Sequence, residues 1–164
     1  MHYIFLTVTT DSKIRLLIIT MTLSVVLISC NKNKNDVIPD VYVDFTIDLY
    51  DFVSLSALGG SDTVNTRDAR ISIGRENAGG YNGNGIIIYR GPDEFYAYDR
   101  TCPHDFEVNS LSIKVKNDFT LAVCPKCGTT YALAALGTPA SGIGRYPLKN
   151  YRTSFDGRYI RVWN

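Results

Sequence analysis

From Val41 to Tyr50 apolar and polar side chains alternate with a period of two. Val41, Val43, Phe45, Ile47 and Leu49 fall on one side, and Tyr42, Asp44, Thr46, Asp48 and Tyr50 on the other. Successive side chains of an extended chain point to opposite faces, so this pattern predicts a strand with one buried face. Gly85 to Tyr89 and Phe95 to Tyr98 are apolar and aromatic runs, and Arg90-Gly91-Pro92-Asp93-Glu94 between them predicts a hairpin. Two further hairpins are predicted. One joins Ser112–Val115 to Phe119–Val123 across Lys116-Asn117-Asp118, the other Tyr151–Phe155 to Tyr159–Trp163 across Asp156-Gly157. Short strands at this spacing predict an all-β domain, a small barrel or sandwich, with helix confined to a short stretch near Phe52 to Leu58.

The first forty residues have a different composition. Lys13 and Arg15 precede an apolar stretch, Leu16 to Ile28, of the length expected for the core of an export signal and shorter than a membrane-spanning helix. The stretch closes on Leu27-Ile28-Ser29-Cys30, which resembles the lipobox of a bacterial lipoprotein. Cleavage and acylation at Cys30 would anchor the chain to a membrane through more than one acyl chain, which is effectively permanent. The predicted division is therefore a signal peptide (1–30), a solvated tether rich in Asn, Lys and Asp (31–40), and one domain (41–164) in the cell envelope, outside the cytoplasm.

Charge removes several classes of function. The chain has 17 basic and 16 acidic side chains, and loss of Lys13, Arg15 and Asp11 with the signal leaves the remainder neutral. No basic stripe is present to hold nucleic acid. Gly79-Gly80-Tyr81-Asn82-Gly83-Asn84-Gly85 is glycine-rich, but it precedes a strand and lacks a following Lys-Ser/Thr, so it predicts a loop and not a phosphate cradle. Phe95-Tyr96-Ala97-Tyr98 predicts core and sheet surface, since no positive groove accompanies it. After processing, His104 is the sole histidine, which excludes a Ser-His-Asp or Cys-His hydrolase site independent of the cysteines.

The remaining three cysteines and that histidine form two short motifs, Cys102-Pro103-His104 and Cys124-Pro125-Lys126-Cys127-Gly128. Each sets two ligand residues on a Pro-bearing turn, a pattern that suits zinc or an iron-sulfur centre. A structural disulfide plus a spare thiol is the alternative, because the compartment is oxidising.

In strand context the two motifs resemble the Rieske iron-sulfur domain over about residues 85 to 164. The first follows Tyr96-Ala97-Tyr98-Asp99-Arg100-Thr101. The second follows Leu121-Ala122-Val123 and leads into Thr129-Thr130-Tyr131, and Tyr146-Pro147-Leu148 with Asp156 to Val162 is similar to the family's final strands. The resemblance implies a small barrel or sandwich with a rubredoxin-like metal-binding subdomain formed by two loops. It also implies a two-iron, two-sulfur (2Fe-2S) cluster, Cys102 and Cys124 on one iron and His104 with Cys127 on the other. Thr129 and Tyr131 match hydroxyl residues that donate to the cluster sulfurs and raise the potential.

The chain departs from the family at Cys127, where the pattern has His. Three thiols and one imidazole also make a closed tetrahedral zinc site, so zinc is the alternative metal. The positions of the extra disulfide of respiratory Rieske proteins hold Glu107 and Lys126. A Rieske-type oxygenase needs further histidines that this chain lacks. The expected function is a membrane-anchored one-electron carrier or a subunit of a redox assembly, with a redox partner protein and no stand-alone catalytic site. The alternative is a non-redox binding or structural domain, zinc-locked or a metal-free relic.

The anchor is tested directly. Cells fed a fatty-acid analogue should label the wild-type protein and not Cys30→Ser, which should accumulate as uncleaved precursor; equal labelling of the two would remove the lipoprotein expectation.

Overall fold

A computed structural model of the chain describes residues 36–164. The expected signal segment with Cys30, and residues 31–35 of the expected tether, lie outside the described residues. Among the described residues no helix is long and apolar enough to cross a membrane.

Among the described residues the fold is all-β, as the alternation predicts, with one short α-helix. Seven antiparallel strands form a large sheet in the order β2-β4-β5-β10-β11-β1-β3: β1 (Asp44–Asp48), β2 (Ser61–Val64), β3 (Ile71–Ile73), β4 (Ile86–Arg90), β5 (Phe95–Asp99), β10 (Asn150–Phe155) and β11 (Tyr159–Trp163). Four more make a small sheet in chain order: β6 (Lys116–Asp118), β7 (Leu121–Val123), β8 (Thr130–Ala132) and β9 (Thr138–Ser141). The large sheet curls so that its two edges approach. Arg70, just before β3, reaches Asp62 on β2 at 3.0 Å and lies over the Phe52 ring at 4.0 Å.

Two cores follow from the pleat of β4. Ile86 and Ile88 enter the large core with Phe45, Ile47, Ile160 and Val162. Ile87 and Tyr89 point the other way, into a second core with Tyr98, Ala122, Tyr131, Leu133, Leu148 and the cysteines Cys102 and Cys124. The unbroken Ile-Ile-Ile-Tyr run is thus a strand buried on both faces. The buried Tyr98 hydroxyl donates to the Leu133 carbonyl at 2.7 Å, tying β5 to the end of β8.

Two hairpins stand where the sequence puts them, β4–β5 and β10–β11. The third is displaced. Lys116-Asn117-Asp118 is not its turn but its first strand, paired with β7, and the reversal falls at Phe119-Thr120, with Phe119 in the left-handed region at φ 53°. Val115 is engaged elsewhere, its amide donating to the Arg100 carbonyl at 2.7 Å, which shifts the hairpin along the chain. The stretch near Phe52 to Leu58 holds only a 3₁₀ turn, Val53–Leu55. Among the described residues the one α-helix, α1 (Pro103–Asn109), starts instead within the first cysteine motif and runs beyond it.

The glycine-rich segment is a loop, and it supports the site. The fully buried Asp99 carboxylate accepts from the Tyr81 amide in that loop (2.6 Å), the Thr101 amide (2.8 Å) and the Tyr151 hydroxyl of β10 (2.7 Å). Three donors offset the cost of burying this group, and they fix where the chain leaves β5 for Cys102.

The two cores make separable predictions. Ile87→Ala and Ile88→Ala should each lower the unfolding free energy by about 2–5 kcal/mol. Hydrogen exchange should show Ile87→Ala loosening residues 112–145 more than β10 and β11, and Ile88→Ala the reverse; the same pattern in both variants would contradict the division.

Candidate metal centre

The first loop begins where β5 ends. Cys102 caps α1 in an extended conformation and Pro103 occupies the first helical position, where its missing N–H costs nothing. The Cys102 carbonyl accepts from the Phe106 amide at 3.2 Å, and its own amide donates to the Ile113 carbonyl at 2.8 Å. The second loop joins β7 to β8. There the Cys124 carbonyl accepts from the Gly128 amide at 3.0 Å and the Cys124 amide donates to the Thr129 carbonyl at 2.9 Å.

These turns bring together Cys102, Cys124 and Cys127 with Asp105, one ligand atom from each lying within 4.8 Å of all the others. The Sγ atoms of Cys102 and Cys127 are 3.7 Å apart, and the Cys124 thiol donates to Asp105 Oδ2 at 3.0 Å. All three cysteines are free thiols. His104, named with them from the sequence, sits half-buried on the first turn of α1 and does not enter this quartet.

Burial sets the protonation of the thiols. It pushes the Cys102 thiol up to about 11, and it pushes Cys124 up as well, reinforced by the hydrogen bond to Asp105. Burial alone would raise the Asp105 carboxyl too. Hydrogen bonds from the Cys124, Cys102 and Cys127 thiols and the charge of Lys126 outweigh it, so Asp105 lies below the usual carboxylate range. A metal would displace thiol protons as it binds.

The two hydroxyl residues named from the sequence lie against the sulfurs. Tyr131 Oη is 3.3 Å from Cys102 Sγ, and the Cys127 thiol donates to Thr129 Oγ1 at 3.2 Å. Both residues are fully buried, and burial with the neighbouring Cys102 holds the Tyr131 hydroxyl protonated. A loop after β9 closes over them. The Gly144 amide donates to Thr129 Oγ1 at 2.9 Å, and a Cβ on Gly144 would sit 2.7 Å from Thr129 Cγ2 and 3.2 Å from Tyr131 Oη. Gly142, at φ 92°, is equally committed, since a Cβ there would meet Thr129 Cα at 2.7 Å.

Asp105 is the residue that reading the sequence missed. The available signal was spacing: Asp105 follows Cys102 by three residues, as Cys127 follows Cys124. Cys30, the proposed acylation site, lies outside the described residues.

No family model matches the chain, and no curated protein does. Solved structures similar to it include the complex of reduced oxygenase and oxidized ferredoxin in carbazole 1,9a-dioxygenase, at 19% identity and TM-score 0.42, covering 76% of this chain and 94% of that one. The ferredoxin of carbazole 1,9a-dioxygenase from Nocardioides aromaticivorans is similar at 15% identity and TM-score 0.41, with 75% and 97% covered. A Sphingomonas yanoikuyae ferredoxin is similar at 17% identity and TM-score 0.36, with 49% and 74% covered.

Differential burial makes the thiols distinguishable. In chelator-treated folded protein at neutral pH, iodoacetamide should alkylate the part-exposed Cys127 well before Cys102 and Cys124, which are buried and protonated. Peptide mass spectrometry over time reads the order, and denaturant should abolish it. Cys102 reacting first would mean that the loops do not pack as described.

Proposed function

We propose that the chain is a Rieske-like electron carrier of the cell envelope, with an iron-sulfur centre held between its two loops. The observation that carries this reading is the convergence of three thiols from two separate loops, with hydroxyls against two of the sulfurs. The donor set fits the group: thiolates hold iron-sulfur centres, and O–H groups beside the sulfurs favour the reduced state. When bound, the centre takes up and returns one electron.

The chain's own residues supply the surroundings. Burial of Cys102, Cys124, Thr129 and Tyr131 keeps water from the inner side of the site. Cys127 is partly exposed, so the edge at Cys127 is where a partner redox protein approaches. Acylation at Cys30 holds the domain at a membrane surface, outside the cytoplasm, and the expected tether ends before residue 40, since Ile38 is buried and its carbonyl accepts from Lys149 Nζ at 2.9 Å.

One distance favours a second reading. Two sulfurs on a single tetrahedral zinc, each at about 2.3 Å, are about 3.8 Å apart, close to the 3.7 Å between Cys102 and Cys127. The carry-over from the Rieske pattern sets these two cysteines on different irons. On the zinc reading the domain is a non-redox binding or structural module.

Metal and acid-labile sulfide analysis of the processed chain, isolated without air, separates the two. Iron and sulfide in equal amounts, with a visible spectrum bleached by dithionite, is the expected result. Zinc without sulfide in a colourless protein would replace the electron-carrier reading by the second. Cys124→Ala should lose the metal in either case.

A further inference from the structure

We infer that the Asp105 carboxylate is the fourth metal ligand, completing a three-thiolate, one-carboxylate set with Cys102, Cys124 and Cys127. The inference rests on the reading above that the two loops hold a metal.

The two loops share one frame. Cys102-Pro103-His104-Asp105 and Cys124-Pro125-Lys126-Cys127 each open on Cys-Pro. In each, the first residue's carbonyl accepts from the amide four residues on, Phe106 in one and Gly128 in the other. Equal turns place equivalent positions alike. The fourth position of the second loop supplies the Cys127 thiol, and the fourth position of the first supplies Asp105. The third position of the first loop, His104, stays out of the quartet.

Burial agrees with this. An acid in the first turn of a helix is ordinarily a solvated group that complements the helix dipole. Asp105 is 1% exposed, and its Oδ2 lies 3.0 Å from Cys124 Sγ with the thiol hydrogen between them. A sulfur and a carboxylate oxygen on one zinc, at about 2.3 and about 2.1 Å, are about 3.6 Å apart. Replacing that hydrogen by a metal ion therefore requires the two atoms to part by only about half an ångström.

The test compares zinc affinities, by competition with a chromophoric chelator, for the processed wild-type protein and three variants, together with the Co(II) spectrum of each. Asp105→Asn should weaken zinc binding at least about tenfold, while His104→Gln should stay within about threefold. Asp105→Cys should bind at least as tightly as wild type and show stronger sulfur-to-cobalt charge-transfer absorption, the mark of a fourth thiolate at that position. This last variant guards against reading simple misfolding of Asp105→Asn as ligand loss. Zinc loss in His104→Gln with retention in Asp105→Asn would overturn the inference, as would a Co(II) spectrum unchanged by Asp105→Cys. If the wild type takes up neither zinc, cobalt nor iron, the metal reading itself falls and takes this inference with it; if the wild type binds and the variants behave otherwise than stated, this inference alone falls.

Discussion

A strand buried on both faces cannot slip in register without exposing one core or the other, because a shift by one residue turns every side chain over. β4 is such a strand, with Ile86 and Ile88 in the large core and Ile87 and Tyr89 in the small one. Its partner β5 repeats the division with Ala97 and Tyr98. The small sheet rests on the second face of this hairpin, held by Tyr98 through the Leu133 carbonyl. The two cysteine-bearing loops are therefore referenced to a hairpin whose register both cores fix.

Asp99 carries that constraint from the hairpin to the first cysteine loop. It ends β5, and the three donors that converge on its carboxylate come from the glycine-rich loop, the start of the first metal motif and β10. A buried carboxylate with three donors is directionally demanding. On the opposite side Thr129 and Tyr131 are pressed from above by the Gly142–Gly144 backbone, at a separation that leaves no space for a Cβ on either glycine. The sulfurs are thus positioned from both sides by polar and backbone contacts, and not by disulfides.

Much of this was legible in the sequence. The period-2 run at Val41–Leu49 and the turn residues of β4–β5 and β10–β11 act locally, so local reading recovered them. The β6–β7 hairpin was misplaced because Asn117-Asp118 has turn composition, whereas the reversal uses Phe119, a residue with no intrinsic preference for the left-handed region. What moved it was the engagement of Val115 with Arg100, a contact between segments that no local pattern reports. Helix α1 is seven residues long, too short for a periodic apolar stripe to register. Cys102, Cys124 and Cys127 were legible because cysteines are rare and were clustered. Asp105 was not, because aspartate is common and its burial exists only once both loops have closed over it.

Splitting the core has an evolutionary consequence. None of Cys102, Asp105, Cys124 or Cys127 belongs to the large core, whereas Cys102 and Cys124 are members of the small one. Substitution at these four positions therefore bears first on the small core, and the packing inside the seven-stranded sheet does not include them. A scaffold divided in this way can vary the donors between its two loops without repacking its main core.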